Sequence, residues 1–169
     1  MFELSIGAML ARQGFNPVFS ECNPDIEFQF ANRRILIECK RILSHPRTQD
    51  AIDSGVRQLR KQVNCSKGDV ALVAVNISRE FYRGDGYWNA QANADVHEIL
   101  SNWIADFIEG ERKWLLQRCH LPARAVFFYG AVLFRIDGVG YIMRRAGTLC
   151  RFDLKSDGLL AQLASKLQL

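Results

Sequence analysis

The chain lacks the features that mark secreted, membrane-spanning and zinc-binding proteins. Its five cysteines, an odd number, include no Cys-x-x-Cys pair, which argues against a disulfide framework or a zinc site and favours reducing surroundings. The N-terminus has no basic segment followed by an apolar core, so we expect no signal peptide. No apolar run approaches the length that spans a bilayer, and we expect no membrane partner. These absences together predict a cytoplasmic protein.

Three common catalytic signatures are missing as well. The sequence contains no Gly-rich P-loop, no Gly-x-Ser-x-Gly and no His-Glu-x-x-His, so nucleotide-driven work, serine hydrolysis and zinc proteolysis have no support. Internal repeats, low-complexity tracts and linkers are also lacking. With 49% apolar residues among 169, the composition predicts a single domain, 1–169, with a sizeable core.

Positive charge is concentrated in one segment of the chain. The formal net charge is only +4, but residues 33–67 hold nine Lys or Arg against three Asp or Glu, a local balance of +6. A basic segment of this kind suits the phosphate backbone of a nucleic acid. A solvated basic helix face explains the same charges, so this observation leaves both interpretations open.

The stretch from Pro24 to Lys40 has the pattern of a β-hairpin. Apolar residues alternate with polar ones over 25–30, residues 31–34 suit a turn, and a second apolar strand follows. Pairing Phe30 with Ile35 would place Glu27 opposite Glu38 and Asp25 beside Lys40. One face of the hairpin would then be apolar, comprising Ile26, Phe28, Phe30, Ile35, Ile37 and Cys39. The other would gather Asp25, Glu27, Glu38 and Lys40.

Three carboxylates on one sheet face repel each other unless a cation neutralises them. Mg²⁺ (or Mn²⁺) would do so, because such an ion binds through one or two carboxylates and keeps waters that a phosphate can replace. Lys40 projects to the same side as Glu38 and could orient or deprotonate an attacking water. These are the components of metal-assisted phosphodiester hydrolysis.

Pro24-Asp25, twelve intervening residues and then Glu38-Cys39-Lys40 after an apolar strand resemble the PD-(D/E)XK nuclease superfamily. The resemblance implies that Asp25 and Glu38 bind the metal with help from the backbone carbonyl of Cys39, and that Lys40 assists the nucleophilic water. It further implies a restriction-endonuclease-like fold. Nucleic acid would be the substrate, DNA rather than RNA.

The flanking elements agree with the order of that fold. The sequence predicts a helix over 2–13 ending at Gly14, a strand over 15–20, the hairpin, an amphipathic helix over 50–64 and a buried strand over 69–77. This gives an α/β protein with a central mixed β-sheet flanked by helices and an αβββαβ core over 1–77. Residues 78–169 would form a helix-hairpin-helix extension of the same domain, meaning a helix, a β-hairpin and a second helix.

Several further side chains are candidates for the site. Glu3 lies in the first turn of helix 2–13, where the helix dipole alone favours a carboxylate, while the resemblance implies an acidic residue near the metals. Glu27 is a candidate auxiliary ligand or base, and the resemblance gives Gln58 or Gln62 an auxiliary role against the alternative of plain boundary positions. Candidate nucleic-acid contacts are Arg41, Arg47, Arg57, Arg60 and Lys61.

The C-terminal half is less informative. Residues 79–93 are irregular and include Gly84, Tyr87 and Trp88; they suit either a loop that reaches a substrate or an ordinary connection with a buried Trp. A long helix with a wide apolar stripe follows, which Gly110 is expected to interrupt. Strands 125–136 and 139–152 are joined at Asp137-Gly138, a strong hairpin signal, and residues 157–167 form a last helix.

Two functions from different classes remain open at this point. The first is a metal-dependent nuclease. The second is a catalytically inactive module of the same fold that binds nucleic acid or assembles with a partner. An unrelated α/β protein with an exposed charged hairpin is a third interpretation. The apolar stripe of the long helix could also bury against a second subunit, making a homodimer, and His45 is expected at the surface.

Overall fold

The computed structural model describes residues 2–21, 24–42, 44–63, 68–82, 86–91, 93–117, 122–152 and 158–167. The helices are α1 (Phe2–Arg12), α2 (Thr48–Leu59), α3 (Ser78–Phe81), α4 (Asn93–Gln117) and α5 (Gly158–Leu167), with a 3₁₀ turn at His45–Arg47. The strands are β1 (Val18–Phe19), β2 (Ile26–Phe30), β3 (Arg33–Arg41), β4 (Val70–Asn76), β5 (Trp88–Ala90), β6 (Ala123–Ile136) and β7 (Gly140–Arg151). Gly84 and the predicted start of the last helix at Asp157 lie outside the described residues.

The seven strands form one mixed sheet. β1, β2 and β3 are antiparallel neighbours, β3 is parallel to β4, and β4 is parallel to the first half of β6. β5 is parallel to the last three residues of β6, and β7 runs antiparallel along the whole of β6. Strands from both parts of the chain therefore build a single sheet.

Helices cover both faces of this sheet, and each face has its own apolar core. α2 and α4 pack on one face, where their stripes (Ile52, Val56, Leu59, Val96, Leu100, Ile104, Phe107) meet Leu36, Val73, Val75 and Phe128. α1 and α5 pack on the other, against Ile26, Phe28, Ile35, Ile37 and Leu72. The predicted α/β architecture, a mixed sheet flanked by helices, is confirmed.

The end of α1 follows from one glycine. Gly14 has φ +83°, a conformation that costs little without a Cβ. The Gly14 amide donates to the Ala11 carbonyl at 3.0 Å and the Phe15 amide to the Leu10 carbonyl at 3.1 Å, the bonds of a Schellman motif. The predicted helix stop at Gly14 is confirmed.

The hairpin register predicted from the sequence was wrong by two residues. The turn contains only Ala31 and Asn32, both with positive φ (48° and 61°), so Phe30 pairs with Arg33 and Phe28 with Ile35. This is the two-residue geometry that matches the twist of hairpin strands. A shift of two leaves every side chain on its predicted face, because side chains alternate with period 2.

The C-terminal half also departs from the predictions. α4 continues through Gly110, because a single glycine costs a helix only about 1 kcal/mol. A Cβ at this position would meet open space. The short elements α3 and β5 were not predicted within 79–93. Trp88 in β5 is half-buried and donates its indole N–H to the Phe81 carbonyl. Among the described residues, none of the helices combines the length and apolar character needed to cross a membrane.

Substituting Gly55 tests how closely α2 approaches the sheet. A Cβ at Gly55 would lie 2.9 Å from Cγ1 of the buried Val73, so we expect Gly55→Ala to push the helix outward and lower the free energy of unfolding by about 1–3 kcal/mol. Gly110→Ala is the matched control within a helix. It should be neutral or stabilising by up to about 1 kcal/mol. Urea unfolding of both variants measures the difference, and equal stabilities would contradict the close approach.

Candidate active site

The hairpin brings Asp25 and Glu38 together. Ile26 pairs with Ile37, so the next residues outward on the two strands are Asp25 and Glu38. Asp25 Oδ2 accepts a hydrogen bond of 2.7 Å from the backbone N–H of Cys39. The corrected register therefore places the two predicted metal ligands closer to each other than the predicted register did.

Glu38 is a buried carboxylate with an uneven environment. The residue is 1% exposed, and its Oε1 accepts a hydrogen bond of 2.7 Å from Lys40 Nζ. Its Oε2 has no hydrogen-bond partner within the described part of the chain. Burial raises the pKa of Glu38, and the negative charge of Asp25 raises it further, although Lys40 opposes both. The Glu38 carboxylate is thus paired with Lys40 through Oε1, while among the described residues Oε2 has no hydrogen-bond donor and lies near the Asp25 carboxylate.

Cys39 contributes through its backbone. In an extended strand the N–H and C=O of a residue point to the same edge, so the Cys39 carbonyl lies on the edge where Asp25 accepts from the Cys39 N–H. The thiol points to the α1 side of the sheet. Burial and the charges of Asp25, Glu3 and Glu38 raise its pKa, which keeps it protonated and unreactive.

α2 covers the buried carboxylate. A Cβ on Gly55 would lie 3.6 Å from Glu38 Cγ, so the helix passes directly over this side chain. Gln58 is one turn further along the helix and is half-buried. Gln62 is exposed and lies beyond the end of the helix. Of the two predicted auxiliary glutamines, Gln58 has the position nearer to Glu38.

Glu3 interacts electrostatically with Arg41 and Cys39. Partial burial acts to raise its pKa, but a hydrogen bond from its own backbone amide and the charge of Arg41 outweigh this, and the pKa is lowered. The charge of Glu3 in turn reaches Cys39. The first turn of α1 therefore lies close to the end of β3.

Glu27 is not brought to the site, contrary to the predicted pairing. It lies opposite Leu36 rather than Glu38, and its Oε2 binds Arg34 Nη2 at 2.8 Å. Arg34 also reaches Asp69 Oδ2 at 3.5 Å. In the observed register, Glu27 lies two residues nearer to the turn than the position opposite Glu38. There the Arg34 guanidinium neutralises its charge.

The five candidate nucleic-acid contacts all have exposed side chains: Arg41, Arg47, Arg57, Arg60 and Lys61. Arg41 is the last residue of β3 and directly follows Lys40. Arg57 and Lys61 follow Gly55 by two and six residues, within roughly 10 Å along the helix axis. Exposed cations are therefore present at the end of the strand that carries Glu38, and in and just after the helix that covers it.

One polar cluster near the same end of the sheet was not predicted. His45 Nε2 lies 2.8 Å from Oε1 of Glu111, which is buried in α4, and the His45 ring contacts Phe107 with centroids 4.8 Å apart. The imidazole is 50% exposed, so its expected surface position is confirmed, whereas its contact with Glu111 was not expected. Glu111 lies on the apolar stripe of α4, four residues after Phe107. A charged residue within an apolar stripe was the signal in the sequence for a buried polar contact.

The donors at Asp25 and Glu38 suit a hydrated ion rather than a closed protein cage. Among the described residues, no group of three or more His, Cys, Asp or Glu side chains could hold a metal ion. Two carboxylates and a backbone carbonyl are present, and Glu38 Oε2 still needs a positive partner. Mg²⁺ characteristically uses one or two carboxylates and retains several waters, so the residues fit such an ion.

Comparisons with known proteins returned no relatives: no family model, curated protein or solved structure matches this chain.

The buried carboxylate makes a prediction about pH. A raised pKa means that folding favours the protonated form of Glu38, so this stabilisation is present at pH values below the ordinary range of Glu and is lost as pH rises through the raised value. In metal-free buffer, the melting temperature should therefore fall as the pH rises above the ordinary range of Glu. Glu38→Gln cannot ionise at this position and should remove most of that fall.

Calorimetry across this pH range measures both effects, with Glu98→Gln as a control that alters an exposed carboxylate on α4. A Glu38→Gln variant whose melting temperature falls with pH as steeply as that of the parent would contradict the raised pKa of Glu38.

Proposed function

We propose that this chain is a metal-dependent nuclease of the PD-(D/E)XK type, which hydrolyses phosphodiester bonds of nucleic acid, DNA rather than RNA. The observation that carries the proposal is the meeting of Asp25 and Glu38 at one end of the hairpin, with an unsatisfied carboxylate oxygen and Lys40 in contact. A buried carboxylate with one unsatisfied oxygen beside a second carboxylate is costly, and a divalent cation is the partner that offsets the cost while providing chemistry.

The arrangement of elements supports the same proposal. α1, the antiparallel strands β1 to β3, α2 and then β4 parallel to β3 follow the αβββαβ order of the restriction-endonuclease-like core. α4, the β6–β7 hairpin and α5 correspond to the C-terminal extension. Within this core, Asp25 directly precedes β2 and both Glu38 and Lys40 lie on β3, so the residues of the resembled motif come from adjacent strands.

Asp25, Glu38 and the Cys39 carbonyl would hold the metal. When bound, Mg²⁺ or Mn²⁺ acts as a Lewis acid on a phosphoryl oxygen and lowers the pKa of a coordinated water. The backbone N–H of Cys39 fixes the orientation of the Asp25 carboxylate through its 2.7 Å hydrogen bond. The buried surroundings of Glu38 strengthen any electrostatic interaction made there.

Lys40 is the residue proposed to act on the nucleophile. Its side chain is 19% exposed, and its ammonium is held by Glu38 Oε1 on the side of the sheet that α2 covers. From this position it can donate a hydrogen bond to an attacking water or to a phosphoryl oxygen while it offsets negative charge. Exposed Arg41 and the basic residues of α2 would bind flanking phosphates.

One observation favours the alternative function, a catalytically inactive module that binds nucleic acid or assembles with a partner. Glu38 is almost fully buried beneath Gly55 and already bonded to Lys40. The Glu38–Lys40 ion pair can persist as a structural feature without any metal. The alternative predicts binding without cleavage.

Cleavage of labelled single-stranded and duplex DNA and RNA with Mg²⁺ or Mn²⁺ tests the proposal. Asp25→Ala removes a metal ligand and Lys40→Ala removes the proton donor, so each should lower the cleavage rate at least about 100-fold. Glu98→Ala, which removes an exposed carboxylate on α4, should cut like the parent. Circular dichroism of each variant establishes that the fold is retained.

The outcomes separate the two functions. Cleavage by the parent that both site variants lose would support the nuclease. No cleavage by the parent, together with nucleic-acid binding that weakens as salt rises, would replace it with the inactive module.

The phosphate contacts make an independent prediction for binding. Arg57→Ala and Lys61→Ala each remove an exposed cation of the basic segment, so each should weaken binding to all DNA sequences similarly. Each should also reduce the slope of log affinity against log salt by about 0.9 on duplex DNA. Fluorescence anisotropy at several salt concentrations measures the slope. Arg112→Ala, which removes an exposed cation paired with Glu109 on α4, is the control and should leave the slope unchanged.

A further inference from the structure

The second half of the β6–β7 hairpin extends past the end of β4, and β5 pairs with the last three residues of β6. β4 ends at Asn76, which pairs with Tyr129, whereas β6 continues to Ile136 and β7 accompanies it throughout. We call residues 130–146 the hairpin arm. At about 3.3 Å per residue, the tip of β6 lies roughly 20–25 Å beyond the carboxyl end of β4.

One face of the hairpin arm is packed and the other is open. On the packed face, Trp103 of α4 stacks on Phe134 with centroids 6.0 Å apart and contacts Trp88 at 4.5 Å. On the open face, Tyr141 is 58% exposed and Met143 is 48% exposed. Large apolar side chains gathered on one surface mark an interaction site more often than single exposed residues do.

The open face combines aromatic rings with guanidinium groups. The rings of Tyr87 and Tyr141 meet edge to face with centroids 5.3 Å apart. Arg135 pairs directly with Tyr141 across the two strands, and exposed Arg145 continues the same face of β7 beyond Met143. We call this surface the arm face, comprising Tyr87, Arg135, Tyr141, Met143 and Arg145.

The charge of the hairpin arm selects its partner. Residues 130–146 contain three arginines and a single acidic residue, Asp137. Within the described residues, neither Arg135 nor Arg145 pairs with a carboxylate. A second copy of this surface would bring like charges together, which disfavours self-association. A polyanion with flat apolar groups complements both the arginines and the tyrosines.

We infer that the arm face binds a single-stranded segment of nucleic acid. Bases stack on Tyr141 and Tyr87, and Arg135 and Arg145 contact the phosphates, as in other stacking surfaces for unpaired strands. The bases must be unpaired, because in a duplex their faces already stack on each other. That this strand is also the substrate of the Asp25–Glu38 site rests on the proposed function.

A route connects the arm face with that site. Lys40 pairs with Val75, which pairs with Phe128, so the hairpin arm begins only two residues beyond the level of Lys40. The arm face lies on the α1 side of the sheet, opposite Glu38. Between them, at the carboxyl ends of β3 and β4, a cleft is lined by Arg41, Asn76, Ser78 and Arg79. A strand that passes round these ends meets cationic side chains along its path.

Anisotropy in EDTA, where no metal-dependent cleavage occurs, tests the inference with labelled oligonucleotides. The parent should bind single-stranded DNA more tightly than a duplex of equal length. Tyr141→Ala should weaken single-strand binding about 5- to 100-fold, whereas Tyr141→Phe, which keeps the ring, should bind within about twofold of the parent. Arg135→Ala should reduce the salt slope by about 0.7. Tyr82→Ala, at an exposed tyrosine outside the arm face, is the control.

Each outcome is decisive for the arm face. The inference is overturned if Tyr141→Ala binds like Tyr82→Ala, or if the parent prefers the duplex. It is also overturned if sedimentation shows that Tyr141→Ala converts a dimer to a monomer, since the face would then bind a second copy. Tyr141-dependent binding by a parent that cleaves nothing would uphold the inference and reject the nuclease, whereas cleavage without that dependence would do the reverse.

Discussion

The hydrogen bond from the Cys39 backbone to Asp25 sets the geometry on which the candidate site depends. It fixes a carboxylate at the point where β2 begins, directly across from Glu38, so two negative charges share one end of the hairpin. α2 then closes over Glu38, which removes water as a compensating partner. Folding without a cation leaves this repulsion in place, and only Lys40 offsets it. The site is thus paid for in stability, as functional sites often are.

The opposite surface of the sheet explains how the protein tolerates that cost. The strands that carry Asp25 and Glu38 also bury Ile26, Phe28, Ile35 and Ile37 against α1 and α5. Burying each of these side chains contributes about 1.5–3 kcal/mol relative to leaving it exposed. The apolar side of the hairpin therefore outweighs the repulsion on its polar side, and the strand pair is retained with its charges in place.

Alternating and continuous apolar patterns predicted the main elements well, because burial of whole faces decides where they form. β4, the hairpin strands, α2 and the β6–β7 hairpin all follow from them. The register did not follow, since it depends on whether the chain turns at Ala31-Asn32 or over four residues. Alanine rarely adopts positive φ, so the sequence did not indicate the two-residue turn. Asp25, Glu38 and Lys40 were nonetheless predicted on the correct face, because a shift of two preserves it. Glu27 is on that face too, but its partner across the strands was not predicted, since the partner depends on the exact pairing. The contact of His45 with Glu111 was not predicted either, because it joins residues 66 apart in sequence.

The late position of β6 in the sequence has a consequence for how the chain folds. β4 is buried at every position from Val70 to Val75, and its outer edge is covered only when β6, more than forty residues later, aligns beside it. A fragment ending near residue 77 would expose a flat, apolar edge strand, which is a template for aggregation. The catalytic candidates thus lie in the first half of the sequence, but this half depends on the second for its solubility. Pairings over such separations form slowly, so the sheet should close late, after synthesis of the hairpin is complete.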